Sequence, residues 1–183
     1  SSFEFNFTFE WWIGASICLI SPTSLSLFDL IHYITPSRLK DYGYISDTMT
    51  IMLLIYTFIE LYKNDSRFRD VNLKYFGKCL VLCHFLKKLI GILTILPDPS
   101  GICAEKPLPL ILGRCNDLSV SGHASSCILC YLFLREYGRR NFVFLYVVIT
   151  CIAIIVSRNH YSMDVIFAYF LTNYVYQNWK YRL

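Results

Sequence analysis

Charge is scarce in this chain: of 183 residues only 16% are charged, against 55% hydrophobic and 17% aromatic. An ordinary soluble domain carries about 25% charged residues, so a polytopic membrane domain is the class expected. Equally missing is any stripe of Lys and Arg alternating with stacking aromatics on a polar face, which removes nucleic acid as a partner. The small formal charge of +4 suits loops beside anionic headgroups. The eight cysteines form no ladder of zinc-type pairs; Cys127 and Cys130 are three apart but lie in an apolar run, so most cysteines read as small buried hydrophobes. There is no internal repeat, low-complexity tract or second domain, and the start carries acidic residues where a secretory signal would have a basic n-region. The expectation is one membrane-embedded all-α domain over residues 1–183, a bundle of about five to six transmembrane helices.

Hydropathy predicts helices over 46–62, 75–96, 121–137, 141–159 and 160–178, with a less certain first span between Phe5 and Ile20 inside residues 1–27. Pro97-Asp98-Pro99 ends the second of these, because proline cannot donate to a helix and disfavours helical geometry in the residue before it. The long loops 21–45 and 97–120 have the length of a lid or binding rim. Basic residues gather in three places: Lys63, Arg67, Arg69 and Lys74; Arg135, Arg139 and Arg140; Lys180 and Arg182. If the helices alternate, all three fall on one side, which the positive-inside rule makes cytoplasmic. The opposite ends then face the lumen or exterior, as expected for an endomembrane or plasma-membrane protein. Cys103 and Cys115 share a loop on that side, where a disulfide is permitted.

His123 and the pair His160 and Asp164 stand at opposite ends of two apolar stretches joined by Gly138-Arg139-Arg140. At about 1.5 Å per residue each stretch is roughly 25 Å long, so an up-and-down hairpin returns His160 to the level of His123. His160 and Asp164, four apart, share one face if both are helical. An aspartate there accepts from one imidazole nitrogen and leaves the other to attack, so the constellation reads as phosphoryl transfer on a membrane lipid. Alone, His32 and His84 read as satisfied interhelix hydrogen-bonding groups. Tyr161, Tyr169 and Tyr174 read as packing and aromatic-belt residues. Lys87 has two readings. It can stabilise a lipid phosphate, or it can pair with an intramembrane acid such as Glu60 while Lys88 snorkels.

Three ordered motifs now bear on family: the run Leu96-Pro97-Asp98-Pro99-Ser100-Gly101-Ile102-Cys103, the run from Cys115 through Asn116, Asp117 and Ser121-Gly122-His123, and His160-Tyr161-Ser162-Met163-Asp164-Val165. Together they resemble the sphingomyelin synthase family, ceramide phosphotransferases grouped with the type 2 lipid phosphate phosphatases. The likeness runs over a core of about 28–179. It implies a six-helix fold and transfer of a phospho-headgroup (choline, ethanolamine or inositol) from a glycerophospholipid to ceramide, with diacylglycerol released. By that resemblance His160 is the nucleophile, Asp164 its orienting acid and His123 the general acid and base. Ser121, Asp117, Lys87 and Arg158 are the expected substrate-binding residues, with no metal and no cofactor.

Arg158-Asn159 stands where vertebrate members carry a His and an acidic residue, a version that resembles plant and protozoan relatives moving other headgroups. The wider superfamily's phosphate-clamping Arg falls at Ile154, so Arg158 is not its equivalent. Two alternatives stay open. One is a phosphatase with water as acceptor; the other is a non-catalytic subunit of a membrane assembly, and association with an oligomer or complex is left open with it.

Overall fold

A computed structural model describes residues 28–63, 66–94 and 119–180. The expected first span Phe5–Ile20, the Pro97–Pro99 stop, Cys103, Cys115 and Asp117 lie outside the described residues. Among the described residues the structure is all helical. A short α1 (Leu30–Ile34) and a 3-10 turn (Ser37–Tyr42) lead into α2 (Gly43–Lys63) and α3 (Ser66–Leu93). After them come α4 (Gly122–Leu134), extended by a 3-10 turn over Arg135–Tyr137, then α5 (Arg140–Val156) and α6 (Ser162–Lys180).

All five long helices fall where hydropathy placed them, with shifted ends. α3 begins nine residues ahead of the expected start, because its first turns are polar and hydropathy does not see a polar helix. The segment expected as the loop 21–45 contains α1 and the 3-10 turn. Gly138, at φ 76°, makes the turn between α4 and α5, a left-handed conformation that glycine adopts without a Cβ penalty.

The bundle is built around α4. Eleven of its thirteen residues are buried, and it packs against α2, α3, α5 and α6. A helix apolar all round belongs at the centre of its bundle. Leu129, Leu132, Leu134 and Cys130 fill its lower half, where Phe133 meets Phe76 of α3 edge-on at 5.2 Å between ring centres. Truncating one such leucine removes about 2–5 kcal/mol. Two buried threonines of α2 bond back along their own helix: Thr50 donates to Ser46 O and Thr57 to Leu53 O, each at 2.8 Å.

The outer helices reverse the usual pattern, with large apolar side chains facing outward. Ile51, Met52 and Ile55 on α2, Phe142, Phe144, Leu145 and Ile152 on α5, and Ile166, Phe167 and Phe170 on α6 are all exposed. By length and composition, one helical stretch among the described residues, Ser37–Lys63, is long and apolar enough to cross a membrane, and Arg140–Val156 is a shorter apolar helix.

Candidate active site

The turn between α5 and α6 carries the second histidine. Asn159 N–H bonds Ile154 O at 3.2 Å and Arg158 N–H bonds Ile155 O at 2.9 Å, the paired closure that ends a helix when the residue after its cap turns left-handed. That residue is Arg158, at φ 58°, where glycine would be at ease; a side chain there costs on the order of 1–2 kcal/mol. The helix therefore stops at Val156, and His160 stands in the turn rather than on a helix. This corrects the expectation that helical spacing pairs His160 with Asp164. Asp164 is the third residue of α6, and its Oδ2 reaches back to accept the Tyr161 N–H at 2.9 Å, as acids at that position do when they cap a helix start. The same oxygen lies 3.3 Å from His160 Nδ1. The pair is almost sealed, with 6% of the His160 side chain exposed and 1% of Asp164.

α4 begins beside it. Ser121 caps this helix, its Oγ accepting the Ala124 N–H at 3.2 Å, and its own N–H donates to the Asp164 carbonyl at 3.2 Å. One backbone bond thus ties the start of α4 to the start of α6. His123 in the first turn of α4 brings its ring centre to 6.4 Å from that of His160, at 62° between planes. Its Nε2 is 3.0 Å from Asp47 Oδ1 on α2, and this second pair is more open, at 20% and 15% exposed.

Gly122 has a packing reason to be glycine. A methyl group there would stand 3.3 Å from His84 Cε1 and 3.4 Å from Lys87 Nζ, so its absence lets α3 bring both side chains against the start of α4. His84 Nε2 pairs with Ser126 Oγ at 3.1 Å, as a satisfied interhelix group should. Lys87 is buried. Glu60 pairs instead with Lys63 at 3.7 Å.

Of the expected site residues, His123, His160, Asp164, Ser121 and Lys87 gather at one end of the bundle, and Asp117 lies outside the described residues. Arg158 is turned away from them: its Nη2 donates to the carbonyls of His32 at 2.7 Å and Thr35 at 3.4 Å. His32, expected only as a satisfied group, is buried with Nε2 at 3.0 Å from Ile155 O and 3.2 Å from His160 O. Two acids were missed. Asp47 had a signal, since a lone acid entering an apolar helix invites a search for its partner. Asp29 had none beyond its place ahead of α1; it caps α1 through Ile31 N–H and takes Ser162 N–H and Oγ at 2.6 and 3.0 Å. Burial works to raise its pKa, but the hydrogen bonds from Ser162 and His32 and the nearby His32 ring outweigh it, holding Asp29 below the ordinary aspartate value.

Chemically, the arrangement offers two imidazoles, each against a carboxylate, at the converging positive ends of α4 and α6, with a lysine alongside. Helix starts of this kind attract anions such as phosphate. Among the described residues no three His, Cys, Asp or Glu side chains gather as a metal site.

Known proteins resemble parts of this chain. Residues 114–182, which hold both histidines and Asp164, match the PAP2 superfamily C-terminal family. The chain is 30% identical over 118 residues to phosphatidylinositol:ceramide inositolphosphotransferase 2 of Arabidopsis thaliana, covering 52% of this chain and 39% of that protein. It is 28% identical over 177 residues to the corresponding rice enzyme, covering 81% and 54%. To human phosphatidylcholine:ceramide cholinephosphotransferase 2 it is 38% identical over 64 residues, covering 32% and 18%. The chain thus spans little more than half the length of the rice relative and less of the other two. No solved structure matches. Over residues 114–182 the chain is thus similar to the PAP2 superfamily C-terminal family, and the curated proteins it is similar to are named as ceramide phosphotransferases.

Proposed function

We propose that this chain is a single membrane-embedded domain that transfers a phospho-headgroup from a glycerophospholipid to ceramide through a phosphorylated His160. The observation that carries the reading is the facing of two carboxylate-held histidines, 6.4 Å between ring centres, at one end of an apolar bundle. With Nδ1 turned to Asp164, attack on phosphorus falls to Nε2 of His160; the bond from phosphorus to the diacylglycerol oxygen breaks, and His123 gives that oxygen a proton. In the second step the ceramide hydroxyl attacks the phosphohistidine, His123 takes its proton, and His160 is restored. Two in-line steps replace one difficult exchange between two lipids. Asp164 orients His160 and offsets the positive charge it gains, and Asp47 does the same for His123. Lys87 and the starts of α4 and α6 stabilise the phosphate oxygens.

The outward-facing apolar side chains of α2, α5 and α6 support a bilayer around the bundle, because water tolerates no contiguous apolar surface of that extent. The basic end at Arg139 and Arg140 is then cytoplasmic and the histidine end lumenal or exoplasmic. A cysteine at Arg139 should react with an impermeant maleimide only from the cytoplasmic side, and one at Ser100 only from the other; labelling of both from one side removes this topology.

The activity is tested by incubating purified protein with phospholipids labelled in the choline, ethanolamine or inositol headgroup, with and without ceramide. Ceramide-dependent label transfer is the expected result. Release of the label to water marks a phosphatase instead, and absence of turnover removes the catalytic reading.

A further inference from the structure

Behind the His160 turn lies a strap, residues 29–35, whose side-chain hydrogen bonds to other elements among the described residues converge on the segment 155–162. Asp29 takes both the N–H and the hydroxyl of Ser162. His32 sits with Nε2 between the carbonyls of Ile155 and His160, its ring 5.6 Å from that of Tyr161. Arg158 closes the loop by donating back to the His32 and Thr35 carbonyls. One face of His160 is therefore held by Asp164, and its backbone is held from the opposite side by His32. Arg158 makes the arrangement informative, since glycine would close the same turn without strain at φ 58°. What an arginine adds there is its grip on the strap.

We propose that His32, Arg158 and Asp29 are positioning residues for the nucleophile: the strap sets the height and rotation of the His160 turn so that Nδ1 meets Asp164 while Nε2 faces the donor phosphorus. None of the three touches substrate. The proposal rests on the reading of His160 as nucleophile, and it departs from the expectation that Arg158 binds substrate. A misplacement of the attacking atom by a fraction of an ångström lowers turnover without weakening binding, because alignment is needed only at the moment of reaction.

Arg158→Gly is the decisive variant. It relieves the left-handed backbone while releasing the strap, so its melting temperature in detergent should stay at or above that of the parent. Turnover should fall about tenfold, with KM for the phospholipid donor within about twofold. His32→Ala should show the same split, and His32→Gln, which keeps an N–H donor, should recover most of the rate. In parallel, ¹⁵N chemical shifts of the His160 ring should show one tautomer, protonated on Nδ1, in the parent and a mixture in Arg158→Gly. Parent-like turnover and tautomer in Arg158→Gly would overturn the proposal. So would a loss confined to KM, which places Arg158 on substrate, or a loss that tracks melting temperature, which makes the strap merely structural. If the parent itself transfers no headgroup, the reading of function fails, and the ring shifts still decide whether the strap positions His160.

Discussion

The two histidine–carboxylate pairs are built in opposite ways. His160 and Asp164 lie four residues apart, are almost sealed, and meet because one helix ends and the next begins between them. His123 and Asp47 are seventy-six positions apart, are several times more open, and meet only because α2 packs against α4. The buried pair is suited to a nucleophile, which must stay aligned and away from water. The open pair is suited to proton exchange with two successive lipids, which must come and go past it. On the proposed mechanism, local chain geometry fixes the group that would form the covalent bond, and packing between helices fixes the group that would move protons.

Breaking the buried pair should have the largest effect. His160→Ala is expected to leave a folded protein with no transfer, and radiolabelled donor should leave no phosphate on it; comparable turnover would take His160 out of the mechanism. Asp164→Asn should keep donor binding yet lower turnover by about 10³–10⁴-fold, the order seen when a histidine loses the acid that fixes its tautomer. Retention of more than a tenth of the activity would mean that the buried pair does not act as a pair.

Changes at the open pair should be smaller and should depend on the substrate. His123→Ala is expected to slow transfer by about 10²–10⁴-fold with natural lipids. A synthetic donor with an acidic leaving group needs no proton, so it should restore much of the first step while leaving the second slow. An equal loss with both donors would withdraw the general-acid role. Asp47→Asn should give a weaker copy of that pattern, about tenfold, since the imidazole stays in place and loses only its orienting acid. A loss insensitive to the leaving group would place Asp47 in packing.

The smallest expected effect is on stability, and it belongs to the buried side alone. Asp29 is held below the ordinary aspartate value, so its contribution is complete above the unfolded pKa of about 3.9 and disappears as pH falls through the folded value. Melting measured in detergent from neutral pH down to about pH 3 should fall at the acid end. The fall should be shallower in Asp29→Asn, which has no carboxylate to protonate; identical profiles would show that Asp29 does not discriminate between the folded and unfolded chains.

Legibility followed the same division. The five long helices could be read because long apolar runs bounded by polar and turn residues leave few other structures open to them. The start of α3 was misplaced, since polar turns such as Asn72 and Lys74 carry no hydropathy signal. His160 and Asp164 could be paired from their spacing, although the reason given, a shared helix face, was not the one the chain uses. Asp47, at the start of a predicted apolar helix, has its partner seventy-six positions away, and nothing near Asp29 in the chain names one. Arg158 was expected to bind substrate, whereas its guanidinium bonds the strap.

By itself the sequence determined the five long apolar helices of the described residues, with two histidines returned to one level and a carboxylate four positions after the second, because helix rise and the length of the apolar runs set where the chain returns. Only the tertiary structure decided which acid serves His123, why Gly122 must be small, and what holds the His160 turn from behind. Those contacts join residues at least thirty-five positions apart, and they exist only once α2, α3 and the strap have packed around α4.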